Sequence, residues 1–338
     1  MTTIKDIAKV AGVSTATVSR VVNNGPKVGP KTRDKIIQIM HELGYTPNAN
    51  ARALVTRKSK TIGVVIPEIS DPFFASLATG VEQVARETSN QLLLSTGKIS
   101  AQTELEAIQL LIEQRCDIII AHSKLIADDT LVELCQQIPG FVLIDRHIEA
   151  VKDKCIWLDN IEGGRIAARH LLSLGHQQLA VINSHYEIED PYLRLQGFRE
   201  EVEHSGIEAS NEPLIVKHEP SLRGGELAAQ ALIASGKPFS AIFAYNDAMA
   251  IGAISVLEAN GYRVPQDVSV LGFDDVMLSQ YSRPKLTTLR YPIQQMAKHA
   301  AQLARAMALG QPLSTAASQS YVPELIQRDS VKPLPSSS

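Results

Sequence analysis

Six apolar runs in this 338-residue chain end in residues suited to gripping a polyhydroxylated ring. Asp71, Phe73 and Phe74 follow TIGVVI (61–66), His122 to Lys124 follow DIIIA (117–121), and Asp145 with Arg146 closes FVLID (141–145). Glu189, Asp190 and Arg194 come after LAVIN (179–183), Asn246 and Asp247 after AIFAY (241–245), and Asp274 with Asp275 after VSVLG (268–272). Carboxylates, an amide and an Arg fork pair with vicinal hydroxyls, while a flat aromatic takes the ring face. Each residue alone also reads as a helix cap or a surface charge, and Asp247 stands where it would cap the helix it begins. Their recurrence at the same place in successive units is what points to a small-molecule site.

The elements that must position them alternate in type. Further strand candidates are QLLLST (91–96), CIWL (155–158), PLIV (213–216) and LTTL (286–289). Amphipathic stretches at 75–89, 102–114, 161–174, 191–205, 223–235, 247–260 and 292–309 lie between or after the strands. Such alternation predicts parallel sheets covered on both faces. Ten strands divide most naturally into two doubly wound lobes, with the ligand at the carboxyl ends of the strands, in the cleft between lobes.

A second kind of chemistry is confined to the first 60 residues. They hold 11 Lys/Arg and 3 Asp/Glu, whereas the remainder holds 22 and 33, within a net charge of −3. A basic head on an acidic body is the footprint of a protein that holds a polyanion with one end only. Ile4, Ile7, Ala8 and Ala11 recur at helical spacing before Gly12, and Ser14 suits the N-cap of a second helix through Asn23. Val18, Val21 and Val22 share one face of it; Ala16, Arg20 and Asn23 share the other. A third helix from Pro30 is predicted to bury Ile36, Met40 and Leu43. Two short helices joined at Gly12 and Val13 make a helix-turn-helix, with an all-α head as the result. Small residues at Thr15 and Ala16 let the second helix sit deep in a major groove, where Arg20 reaches a base edge or a phosphate. Thr17, Ser19 and Asn23 complete the candidate reading set on that helix.

Pro47 ends the third helix, and residues 48 to 56 are good helix formers in a segment too short to be stable alone. The segment reads either as a linker or as a hinge helix that forms only when paired with its twin on DNA. In the second reading Leu54, with Asn48 and Arg52 nearby, wedges between base steps in the minor groove.

IKDIAKVAGVSTATVSRVVN followed by GYTPNANARAL resembles the head and hinge of the lactose-repressor family of transcription regulators. The resemblance runs on through the body, from IGVVIPEISDPFF to LGFDD and LTTLRYPI. It implies base-reading roles for Thr15, Ala16 and Arg20, an operator-opening role for Leu54, and a body like periplasmic sugar-binding proteins with three crossovers between lobes. By motif it carries effector contacts to Arg194 in YLRLQGF, Asn246 in AYNDAMA and Asp274 in GFDD, with Asp71, Phe73 and Asp145 as further transfers, and His122 joins the candidate effector set as a strand-end residue. RCDIIIAHSK, IPGFVLIDR and LTTLRYPI look most like the galactose-repressor and isorepressor branch, implying D-galactose as inducer of transport and metabolism genes. The expected division is a DNA-binding domain at 1–46, a hinge at 47–59, an N-terminal lobe at 60–160 and 291–321, a C-terminal lobe at 161–290 and 322–330, and a flexible tail at 331–338.

Other classes find little support. GxGxxG, GxxxxGK[ST] and GxSxG are absent, the Gly163–Gly164 and Gly224–Gly225 pairs do not build a phosphate loop, and no metal-ligand spacing occurs. An enzyme or a resident cofactor is therefore not expected. Cys116, Cys135 and Cys155 are an odd, widely spaced set that reads as reduced structural thiols. Without a long apolar span or a leader, the expectation is a cytoplasmic protein away from the membrane. The tail SVKPLPSSS lacks leucine heptads, so a homodimer on a pseudo-palindromic duplex is expected rather than a coiled-coil tetramer.

Overall fold

The computed structural model describes residues 2–23, 25–45, 60–206, 212–312 and 320–334, and the chain forms two compact units, 1–60 and 61–338. In the first unit three helices enclose a small core. Helix α1 (Ile4–Ala11) starts with a capping box, in which Thr3 Oγ1 accepts from the Asp6 amide and Asp6 accepts from the Thr3 amide. It ends at Gly12, whose φ of +69° makes the tight turn. Helix α2 (Thr15–Val22) is capped by Ser14, which accepts from the Thr17 amide at 3.1 Å. Helix α3 (Pro30–Glu42) begins with proline in its first turn. Ile7, Ala8, Ala11, Val18, Val21, Ile36 and Ile39 form the core. The expectation for α3 needs correction: Leu43 is 38% exposed and Met40 half-buried, while Ile39 lies inside. Leu43 follows the last helical turn, so the helical spacing no longer carries its side chain inward.

The second unit holds two six-stranded sheets. Strands β1 (Thr61–Ile66), β2 (Gln91–Thr96), β3 (Ile118–Ala121), β4 (Gly140–Ile144), β5 (Cys155–Leu158) and β11 (Ser320–Tyr321) form the first, in the order 11-5-4-3-1-2, all parallel. Helices α4 (Pro72–Glu87), α5 (Ala101–Glu113), α6 (Asp128–Gln137) and α12 (Ile293–Ala308) accompany it. Strands β6 (Leu179–Ser184), β7 (Leu214–His218), β8 (Ala241–Ala244), β9 (Ser269–Asp274), β10 (Thr287–Arg290) and β12 (Glu324–Ile326) form the second, in the order 12-10-9-8-6-7. Among the described strands only β12 runs antiparallel there. Helices α7 (Asn160–Ser173), α8 (Glu189–His204), α9 (Leu222–Ala234), α10 (Asp247–Ala259) and the short α11 (Met277–Tyr281) belong with the second sheet.

Both orders reverse beside their first strand, between β1 and β3 and between β6 and β8. Reversal of this kind opens a crevice at the carboxyl ends of the strands. The chain passes between the sheets three times, after β5, after β10 and between β11 and β12. One apolar cluster runs through both lobes, from Val64 and Ile120 to Phe243 and Phe273, with Tyr291 at the second passage.

The glycine pairs serve helix packing. A Cβ at Gly164 on α7 would collide with the Arg194 carbonyl on α8, and one at Gly225 on α9 with the Met249 carbonyl on α10. These helices touch backbone to backbone. The segment from 331, read as a tail, is docked at its start: Val331 is buried, Lys332 O accepts from His176 Nε2 at 2.9 Å, and the Leu334 amide donates to Leu174 O. Its valine and its free backbone groups find partners on the second lobe that sequence alone does not display. The three cysteines are buried, and burial pushes their thiols up to about 11 for Cys116 and Cys155 and about 12 for Cys135. No helix among the described residues is long and apolar enough to cross a membrane.

Candidate functional site

On the head, Thr15, Ala16 and Arg20 are exposed on α2, and Thr17, Ser19 and Asn23 are half-buried beside them. Thr17 Oγ1 lies 2.9 Å from Ser14 Oγ, and Asn23 Nδ2 donates to Ser19 Oγ at 3.3 Å, so these polar groups brace the helix. Lys35 Nζ donates to Ala11 O at 3.0 Å, tying α3 to the end of α1 and fixing the face that α2 presents. Asn48, Arg52 and Leu54 lie outside the described residues.

In the body a cavity of about 800 Å³ opens between the lobes, inside the range of about 300–1,000 Å³ usual for small-molecule sites. Asp71, Phe73, His122, Asp145, Arg194, Asn246 and Asp274 all line it. Asp71 is also the N-cap of α4, accepting from the Phe73 amide at 2.8 Å, and burial pushes its carboxyl up. Phe73 packs edge-on against Tyr291, and Phe74 against the His122 ring.

Asp145 is the hub of the first-lobe wall. It sits in the left-handed region at φ +59° and is 5% exposed. His122 Nε2 meets its Oδ2 at 3.1 Å, Lys124 Nζ at 2.7 Å, and the Tyr291 hydroxyl donates to its Oδ1. Burial alone would raise this carboxyl, but the Lys124 ammonium and His122 outweigh it and hold the group well below the usual carboxylate range. Lys124 also reaches Asp190 at 2.8 Å, so one buried ammonium bridges the two lobes. Burial opposes its charge, and the two carboxylates more than compensate. Glu104 on α5 fixes the lysine's loop by accepting from Ser123 Oγ and the amides of Lys124, Leu125 and Ile126. His122 Nδ1 is buried with no partner among the described residues.

Arg194 dominates the second-lobe wall. Its Nε donates to Asn160 Oδ1 at 2.8 Å, one Nη donates to Tyr245 O at 2.7 Å, and its guanidinium lies 3.7 Å over the Phe273 ring. The same Nη approaches Asp274 Oδ1 to 3.9 Å. Burial pushes the Asp274 carboxyl well above the usual range, with Arg194 pulling the other way. Asn246, not Asp247, caps α10: its Oδ1 accepts from the Met249 amide at 2.9 Å and its Nδ2 donates to Pro220 O. Asp247 is buried behind the wall, and the adjacency of two good capping residues hides that division of labour in the sequence.

Other strand-end residues turn elsewhere. Glu189 is exposed, Arg146 pairs with Asp128, and Asp275 pairs with Arg290 and Arg328. Sequence reasoning misses Asn160, Tyr245 and Tyr291, which hold the wall residues Arg194 and Asp145 in place. Tyr245 ends a strand and was legible there; Asn160 and Tyr291 stand where the chain changes lobes, which only the tertiary path reveals.

Residues 3–48 match the model of bacterial regulatory proteins of the lacI family, and residues 168–331 match a periplasmic binding protein-like domain. The chain is 45% identical over 331 residues to the HTH-type transcriptional regulator GalR of Escherichia coli K12, covering 98% of this chain and 96% of that one. To GalS of Salmonella typhimurium LT2 it is 44% identical, with 98% and 97% covered. Among solved structures it is similar to the Lac repressor dimer bound to operator and an anti-inducer, at a TM-score of 0.87 and 26% identity over 98% of this chain and 99% of that one. These relatives are regulators, not enzymes. With a helix-turn-helix head whose second helix is exposed, two doubly wound lobes and a polar cleft between them, the chain belongs to the lacI family and is a DNA-binding transcriptional repressor.

Proposed function

We propose that this repressor holds a pseudo-palindromic operator as a homodimer and releases it when D-galactose enters the cleft. In this reading residues 1–46 read DNA through Thr15, Ala16, Thr17, Ser19, Arg20 and Asn23, and residues 47–59 form the hinge that adds Asn48, Arg52 and Leu54. The lobes at 60–160 with 291–321 and at 161–290 with 322–330 form the sensor, acting in the cytoplasm and on the nucleoid when DNA is bound. Galactose works by binding one lobe arrangement better than the other; a tenfold preference shifts the balance by about 1.4 kcal/mol.

The observation that carries the sugar reading is the cleft itself, where hydrogen-bonding side chains from both lobes converge beside aromatic rings. Glu68, Asp71, Asp145, Asp190, Glu219 and Asp274 line it against Lys98, Lys124 and Arg194, an acidic balance that favours a neutral ligand over a phosphorylated one. A sugar hydroxyl would also satisfy His122 Nδ1. The branch itself rests on the likeness to GalR and GalS. Calorimetry with galactose, glucose, ribose, a purine base and a galactose phosphate tests it. Galactose is expected to bind at least tenfold more tightly than the rest, about 1.4 kcal/mol. Tight binding of ribose or the purine, with galactose silent, would replace the effector.

Support for the homodimer comes from α11, where Met277 and Tyr281 are 65% and 72% exposed beside the 40% exposed Leu278. An apolar patch of this kind suits a second copy related by a two-fold axis, and the similar Lac repressor structure is a dimer. Tyr281→Asp is expected to weaken self-association by at least about 2 kcal/mol, read as a shift toward monomer in analytical ultracentrifugation. An unchanged dimer would move the interface elsewhere.

A further inference from the structure

We infer that Asp247 is a positioning residue of the effector cleft, its buried carboxylate bracing the turn that carries Asp274 to the helix start that carries Asn246. The inference rests on the sugar reading above for the roles of Asp274 and Asn246.

Asp247 is the first residue of α10 and is fully buried. Because Asn246 takes the capping duty, the Asp247 carboxylate is free to reach sideways. Its Oδ2 accepts from the Val276 amide at 2.9 Å, and its Oδ1 accepts from Thr288 Oγ1 on β10 at 2.6 Å. The turns after β8 and β9 are thus joined to each other and to the body of β10 through one side chain. Gly272 on β9 leaves the room, since a Cβ there would collide with Asp247 Oδ1.

The turn it holds is strained. Asp274 and Asp275 have φ of +106° and +55°, and neither is a glycine. Such residues persist only where their surroundings over-determine them. Asp275 is fastened on the far side by Arg290 at 2.9 Å, Arg328 at 2.5 Å and Ser279 Oγ at 3.0 Å. Val276 is fastened on the near side by Asp247. Asp274 comes directly before the two anchored residues, at the end of β9 and facing Arg194. Releasing one anchor lets the turn relax toward ordinary backbone, and Asp274 leaves its place.

The charged groups facing Asp247 are Asp275 and Arg328, with Asp274 beyond them. Burial pushes the Asp247 carboxyl up to about 7, Asp275 adds to the rise, and the Thr288 and Val276 hydrogen bonds and Arg328 oppose it. Above that value the carboxylate accepts both hydrogen bonds at full strength. Below it a proton occupies one acceptor and the hold on Val276 weakens. Effector affinity is therefore lower at pH 6 than at pH 8, levelling off above the transition.

The test compares Asp247→Asn and Asp247→Leu with the wild type in the full-length repressor. Galactose affinity is measured by calorimetry from pH 6 to pH 8, and exchange of amides 274–277 by mass spectrometry. The asparagine, which like the protonated acid offers Val276 a neutral acceptor and cannot titrate, is expected to bind at the wild-type pH 6 level throughout and to lose the pH step. The leucine is expected to bind at least thirtyfold more weakly and to exchange faster at 274–277, with operator affinity within twofold. Normal galactose binding by a folded leucine variant, or an unchanged pH step in the asparagine variant, overturns the inference. Should the leucine variant fail to fold, the asparagine profile decides. If galactose is not the effector, the exchange arm stands alone: wild-type protection of Val276 must fall at pH 6, and that of Asp247→Asn must not.

Discussion

A repressor carrying Asp274→Ala is expected to hold its operator with normal affinity and to stay there when galactose is added. Asp274 closes the second-lobe wall beside Arg194, and burial has raised its carboxyl well above the usual range. A buried carboxyl with little solvent to compete offers a strong hydrogen-bonding partner to a sugar hydroxyl. Losing a hydrogen bond of this charged or strongly polar kind removes about 1.5–3 kcal/mol, a ten- to hundredfold loss of effector affinity. The head lies in the other compact unit, so its reading face is untouched. Anisotropy of a labelled operator, titrated with galactose, reads both quantities in one experiment. Release at the wild-type sugar concentration would take Asp274 out of the effector site.

Arg20→Ala is expected to erase the preference for operator over random duplex. Arg20 stands exposed on the last turn of α2, on the face away from Val18 and Val21. A bidentate contact to a guanine edge discriminates by about 1–3 kcal/mol, and a dimer makes it twice, so about 2–6 kcal/mol of specificity is at stake. Binding to random DNA, which rests on phosphate contacts and falls with salt, is expected to change far less. Competition gel shifts at one fixed salt concentration separate the two. If the operator still wins by the wild-type margin, Arg20 touches only phosphate.

Much of this architecture is written in local pattern. IIIA and GFVLI are buried on both faces of a parallel sheet, so they stand out as unbroken apolar runs. Strands β11 and β12 do not, because two or three mixed residues become a strand only when partners far away in sequence supply the hydrogen bonds. Helix α6 buries only Leu131 and Cys135, too thin a stripe to announce itself. In the cleft, the wall residues were legible because strand ends are. Lys124 was legible as a strand-end residue but not as a bridge, because its second partner, Asp190, is delivered by the other lobe. Asp247 reads as a helix cap until the neighbouring strands are in place.

The glycine contacts between α7 and α8, and between α9 and α10, have a mechanical consequence. Helices separated by side chains can slide by repacking them, but main chains in direct contact leave no compliant layer to absorb a push. Each of these helix pairs therefore resists sliding and behaves as one block. A push at Arg194, on the very helix that Gly164 admits, would reach α7 directly, and α7 begins where the chain first crosses from one lobe to the other.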